Sequence, residues 1–293
     1  MSTKLPPYGG QAVIEGVMMR GAQSVAIAMR APSNEIVVHI EPLTGIYKSK
    51  LTKIPFLRGL VVLWDALGLG MRALTLSANT QTGEEEKLEG PQLYITLGVS
   101  LAIGIGLFFL LPAVIGQLSE TWLGLNAWLG NLLEGVLRLG LLILYIWGIG
   151  QLPDIKRVFA YHGAEHKTIN TYEAGQEVTP TNVAKFPLEH PRCGTTFLLT
   201  LVLFSVIFFS LLGPLPMEWR LISRIVMLPV LAMVAYEYMR WTANHLDSIF
   251  VRWMIKPGLA LQHLTTREPS PEMLEVSIAA FNAMRAQERQ ITL

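Results

Sequence analysis

His162, Glu165 and His166 stand in the order H-x-x-E-H within Tyr161-His162-Gly163-Ala164-Glu165-His166-Lys167. On a helix, the four-residue step between the histidines puts both imidazoles on one face, one turn apart, where they can grip a single ion. Glu165 flanks that face and is placed to hold a water or a proton beside the ion. Zinc hydrolases use this order with two histidine ligands and the carboxylate as general base. The expected chemistry is therefore hydrolysis dependent on a divalent metal ion, with zinc favoured and Glu165 as the catalytic residue. A catalytic zinc takes three protein ligands and keeps one position open. His190 and Cys193, three residues apart, are candidates for the third ligand, and the carboxylates of Glu237 and Glu173 are alternatives. His245 and Asp247 could support or join the site. Gln11, Glu15 and Arg20 lie in a glycine-punctuated stretch that could close over it, and Arg20, Arg192 or Arg240 could hold an oxyanion or an anionic substrate. Competing structural readings exist for each: a solvated amphipathic face for the histidines, a turn for His190 to Cys193, and an ion pair for Glu237 with Arg240.

These residues need elements to carry them, and 154–172 reads as the helix that presents the two histidines. The chain of 293 residues is 51% hydrophobic and 15% charged, with a mean hydropathy of +0.41. Soluble domains carry about 25% charged residues. A multi-pass membrane protein is expected, with the lipid bilayer as its surroundings. Residues 90–119 and 194–217 contain no charged side chain, and about 20 apolar residues cross a bilayer core. Residues 128–152 form the second of four expected spans, with Glu134 and Arg138 spaced to pair, and 219–243 form the fourth, ending in Glu237 and Arg240. In the apolar stretch 56–76, Arg58, Asp65 and Arg72 recur every seventh residue. Inserting an aspartate at mid-span costs about 2.5–3.5 kcal/mol, so an interfacial helix is expected over 56–78.

Lysine and arginine are distributed unevenly: nine before the first span, five between the second and third, and six from Arg240 onward. Arg138, Arg220 and Arg224 alone fall on the other side. The positive-inside rule then places both termini and the 154–193 segment in the cytosol. The fold class expected is a mainly α membrane protein with a small N-terminal β-element and amphipathic interfacial helices. Its parts are a cytosolic glycine-rich loop and hairpin over 1–55, the helix 56–78, an acidic linker over 79–89, a four-helix membrane domain over 90–246, and interfacial and C-terminal helices over 247–293. The hairpin pairs 24–30 with 35–41, leaving His39 on the surface. Residues 9–21 read either as a loop over the site or as a turn leading into a sheet. Residues 248–262 suit an interfacial helix broken at Pro257-Gly258, and 271–289 a helix capped by Ser270. Residues 1–10 lack the apolar core of a cleavable signal peptide. The single cysteine, Cys193, excludes an intrachain disulfide. No phosphate loop, repeat or basic-aromatic pattern points to nucleic acid.

Four separated stretches carry a resemblance: 9–21, Tyr161 to Lys167, His190-Pro191-Arg192-Cys193-Gly194-Thr195-Thr196-Phe197, and Thr265-Thr266-Arg267-Glu268-Pro269. Together, over nearly the whole chain, they resemble the bacterial and plastid family called domain of unknown function 1385, or YqhQ-like proteins. The resemblance implies an integral membrane protein and a predicted metal-dependent enzyme, without a substrate. This chain has His263 where members of that family have an arginine, so His263 is not counted as a ligand.

Two other classes compete with a hydrolase. A metal-stabilised scaffold or assembly factor, bound to a membrane protein partner or to a second copy, would use both His190 and Cys193 in a closed four-ligand site. A transporter is disfavoured by the uncharged first and third spans and by the lack of inverted repeats.

Overall fold

After Val13 the chain turns through Ile14 and Glu15, the latter at φ 52°, and runs back antiparallel to itself. The computed structural model describes residues 8–44, 49–82 and 91–292, so the run Glu84-Glu85-Glu86 and residues 1–7 lie outside the description. Strands β1 (Gly9–Val13), β2 (Gly16–Arg20), β3 (Ser24–Arg30) and β4 (Ile36–Pro42) form one antiparallel sheet in the order β1-β2-β3-β4. The stretch 9–21 is thus a hairpin of that sheet and not a free loop. Eleven α-helices follow among the described residues: α1 (Leu57–Thr82), α2 (Pro91–Ile105), α3 (Leu111–Leu123), α4 (Ala127–Ile149), α5 (Pro153–Glu173), α6 (Pro180–Val183), α7 (Gly194–Leu211), α8 (Met217–Val226), α9 (Leu228–Ala243), α10 (Ile249–Gln262) and α11 (Pro271–Thr292).

The sheet is a middle layer. Val17, Met19, Ala26 and Ala28 face a core shared with Tyr161 and Ala164 of α5 and Phe281 of α11. Val13, Met18, Val25, Ile27 and Met29 face a second core with Leu69 and Ala73 of α1. The alternation has the strand period of two, yet both sets are apolar because neither meets water. That is why β2 and β3 lack the apolar-polar pattern of a half-buried strand.

By length and composition, α1, the run Leu93–Leu123, α4 and α7 are each able to cross a membrane. The last three correspond to the first three expected spans. The stretch expected to lie in the interface is also long and apolar enough to cross, and it extends to Thr82, into the region read as linker. The Asp65 side chain, on which the interfacial reading rested, lies outside the description. The fourth expected span is two helices, α8 and α9, bent by 45°. Pro229, near the start of α9, has no N–H for the Ile225 carbonyl and its ring crowds that turn. By contrast, α10 is not broken at Pro257 and continues through it. Gly258 lets that stretch press on α7, where a Cβ would stand 2.7 Å from Thr196 Cγ2, and this packing holds the helix across the lost hydrogen bond.

Pro112 cannot bond the Phe108 carbonyl either, and the chain takes a π-helical turn over Gly106–Leu110. The Phe108 carbonyl instead accepts from Arg138 Nε at 2.9 Å. Arg138 Nη2 also donates to Glu134 at 2.6 Å, as their spacing suggested. From α8, Arg224 donates to both oxygens of Glu134 at 2.9 and 2.7 Å, and Arg220 donates to Glu120 at 2.7 Å. Glu134, Arg138, Arg220 and Arg224 are all at most 2% exposed. The two arginines of α8, counted from sequence as flanking charges, are interior ones.

Candidate metal centre

Helix α5 carries the two histidines, and Gly163 between them lets another segment come close. A Cβ there would collide with the Arg267 carbonyl, so the chain leaving α10 lies directly over α5. In this position the Thr265 carbonyl accepts from Nδ1 of His162 at 2.9 Å. The Leu188 carbonyl takes the same place at Nδ1 of His166. A backbone acceptor at Nδ1 holds the ring proton there and leaves Nε2 with a bare lone pair, the arrangement found behind metal-ligating histidines. Nε2 of His162 lies 3.3 Å from Sγ of Cys193, the residue that caps α7. The two histidine rings stand 4.3 Å apart. One ligand atom from each of His162, His166 and Cys193 lies within 4.8 Å of the others.

Glu165 Oε2 is 3.9 Å from His162 Nε2. Burial pushes this carboxyl up to about 7, with the nearby His162 offsetting part of the rise. These groups line a cavity of about 120 Å³ together with Gly9 and Gly10 of β1, His190 and Arg192. The donor set of two imidazoles and one thiol suits zinc, and three ligands around an open cavity is the catalytic arrangement of that ion.

His190 stands behind the three. Its Nε2 faces Glu173 at 3.4 Å, and its backbone is clamped by Gln262, which accepts from His190 N–H at 2.9 Å and donates to the His190 carbonyl at 2.8 Å. Burial lowers its imidazole to about 4, against the pull of Glu173. Arg192 is ion-paired with Glu173 and donates to the Tyr8 carbonyl at 3.3 Å. Glu173 is thus engaged by two neighbours and is no member of the ligand cluster.

The remaining candidates go elsewhere. Glu237 is held by Arg58, with Nε at 2.6 Å, and accepts from the Phe56 N–H at 3.0 Å, so its carboxylate is committed to α1. Arg240, His245 and Asp247 are exposed around the end of α9, and His245 Nδ1 lies 2.7 Å from the Trp241 carbonyl. Glu15 forms a bidentate pair with Arg157 on α5, both contacts at 2.5 Å, and accepts from Tyr161 at 3.3 Å. The Gln11 side chain lies against Gly70 of α1. Arg20 donates to the Gly21 carbonyl at 3.1 Å and is not part of the cavity wall. His263 pairs with Glu189 at 3.0 Å, outside the cluster. Of the glycine-rich stretch, its backbone reaches the cavity while these three side chains do not line it. Sequence reasoning missed Thr265, Leu188 and Gln262. The first two act through main-chain carbonyls that no residue type announces, and for the third the sequence offered only a glutamine closing the apolar stretch 248–262, whose full burial the fold reveals.

A mainly helical protein with several apolar helices of membrane-crossing length, a small four-stranded sheet and a largely buried His-His-Cys cluster is the class these features define. Residues 54–287 match the family described as Protein of unknown function (DUF1385). A relative, "Uncharacterized protein YqhQ" of Bacillus subtilis (strain 168), is 35% identical over 297 residues, covering 96% of this chain and 93% of the relative. The chain belongs to the DUF1385 family. No solved structure matches it.

Proposed function

We propose that this protein is a zinc-dependent hydrolase embedded in the bacterial inner membrane, with its site at the cytosolic face. The observation that carries the reading is the convergence of His162, His166 and Cys193 on one small cavity beside the carboxyl of Glu165. His162, His166 and Cys193 would hold the ion. When bound, zinc supplies Lewis acidity to a carbonyl or phosphoryl oxygen. Glu165 takes a proton from the attacking water and returns it to the leaving group, so that water's oxygen ends on the carbonyl carbon as the bond to the leaving group breaks. A peptide bond is the default from the motif, with a lipid or phosphoester as alternatives. Arg192 lines the cavity wall with its guanidinium already paired to Glu173, so an anionic substrate group would have to share it with that carboxylate. The turn of His190 toward Glu173 supports an open three-ligand site over a closed scaffold. The cytosolic placement rests on the positive-inside distribution.

The test is metal content by inductively coupled plasma mass spectrometry on detergent-purified full chain, wild type beside His162→Ala and His166→Ala. About one equivalent of zinc in wild type and its loss in both variants is the expected result. Glu165→Gln should keep the metal and lose at least about 100-fold in turnover on whichever peptide, ester or phosphoester substrate a screen finds. Folded wild type that takes up no metal on reconstitution would overturn the reading.

A further inference from the structure

Next to the metal centre, α4, α7, α9 and α10 enclose a second, larger groove of about 470 Å³. Its wall is hydrocarbon, including Val136, Leu203 and Ile207. The hydroxyls of Thr196 and Thr200 are engaged within the protein, the first accepting from Gln262 and the second donating to the Thr196 carbonyl, both at 2.8 Å.

The groove and the candidate metal cavity are neighbours along α7: Thr196 lines the first and Cys193, three residues earlier, the second. Cys193, Thr196, Thr200, Leu203 and Ile207 follow at alternating steps of three and four residues, forming one stripe down α7. Thr196 is about 4.5 Å along the axis from Cys193, and from there to Ile207 the stripe runs about 16 Å. Such a length and lining fit one extended hydrocarbon chain. Helix α10 joins the two sites. Pro257 and Gly258 wall the groove, Gln262 ties Thr196 to His190, and Thr265 just beyond holds His162. The outer face of α10 exposes Arg252, Trp253 and Lys256, with Lys256 Nζ 4.1 Å from the Trp253 ring centroid. Basic and aromatic side chains together suit the anionic headgroup layer of a membrane.

We propose that this groove seats the acyl chain of an anionic membrane lipid and delivers the ester end of that chain to the cavity of His162, His166 and Cys193. This rests on the hydrolase reading and narrows its substrate to a carboxylic ester. Water's oxygen bonds to the acyl carbon, the bond from that carbon to the headgroup alcohol oxygen breaks, and the proton taken by Glu165 passes to that oxygen. A fatty acid and an alcohol leave.

The test uses full-length protein in vesicles of phosphatidylglycerol bearing a diazirine in one acyl chain, irradiated and mapped by mass spectrometry, with zinc content measured on the same sample. Adducts at Val136, Leu203 and Ile207 are expected at least tenfold above those at Leu101 and Ile103, which are exposed on α2 outside the groove. Leu203→Trp, at a position 42% exposed, should fill the groove and cut those adducts at least tenfold with zinc unchanged. Ile207→Trp serves the same purpose if the first variant does not fold. Equal labelling of α2 and the groove in zinc-loaded protein would overturn the acyl site and leave the hydrolase reading standing. Groove-selective labelling in a protein that takes up no zinc would overturn the ester hydrolysis and keep only a lipid site.

Discussion

The carbonyl oxygen of Thr265 lies 2.9 Å from Nδ1 of His162, across 103 residues of chain. Through that contact the main chain beyond α10 sets the ring orientation that turns Nε2 toward Cys193. The geometry of the cluster therefore depends on how closely the 265–267 segment lies on α5, and Gly163 controls that distance.

Gly163→Ala should push the Arg267 carbonyl away from α5. Overpacking of this kind costs about 1–3 kcal/mol, and disturbing the support of a ligating histidine weakens metal binding about 10–100-fold. A lowered melting temperature together with weaker zinc retention in a chelator competition would be the expected pair of results. Unchanged zinc retention would mean that the Thr265 carbonyl does not position His162.

Cys193→Ser keeps the size of the side chain and removes the soft donor. Cobalt-substituted wild type should show a sulfur-to-cobalt charge-transfer absorption that Cys193→Ser lacks, with zinc affinity down at least about tenfold. An identical cobalt spectrum in the two proteins would remove Cys193 from the ligand set.

Glu134 is the carboxylate on which Arg138 and Arg224 converge, all three at 1% exposed. Removing one partner of a buried ion pair leaves uncompensated charge and costs about 3–5 kcal/mol. Glu134→Ala should unfold at clearly lower temperature in detergent, while zinc bound per folded molecule stays at the wild-type level. A melting temperature within a degree of wild type would show that the cluster contributes little.

Arg157 holds the Glu15 carboxyl below its ordinary value of 4.5, chiefly by hydrogen bonding and against the effect of burial. A depressed carboxylate contributes stability above its unfolded value, and that contribution is lost as pH falls through the folded one. Arg157 is 54% exposed, so the pair is worth less than about 1 kcal/mol. The melting-temperature advantage of wild type over Glu15→Gln should be constant from neutral pH to about pH 5 and shrink below 4.5. An advantage that grew on acidification would contradict the assignment.

Much of this architecture was legible locally. The four-residue step from His162 to His166 puts two imidazoles on one helix face whatever the rest of the chain does, because the helical period alone decides it. Uncharged runs such as 194–217 declare their apolar surroundings in the same way. Residues 9–21 were ambiguous, because α1 on one side and α5 with α11 on the other bury both faces of the sheet and erase the alternation that marks a strand.

The identity of the third donor in the cluster was beyond any local pattern. His190, Cys193, Glu173 and Glu237 are all competent donors by chemistry, and only their partners separate them. Arg58, 179 residues away, engages Glu237, and Glu173 engages the Nε2 of His190, which leaves the sulfur of Cys193 beside His162. The sequence by itself determined the helix period, the paired histidines, the apolar segments and the family. Tertiary structure decided which donors meet, which carbonyls orient them and which arginines are buried, because those outcomes depend on contacts that form when distant segments pack together.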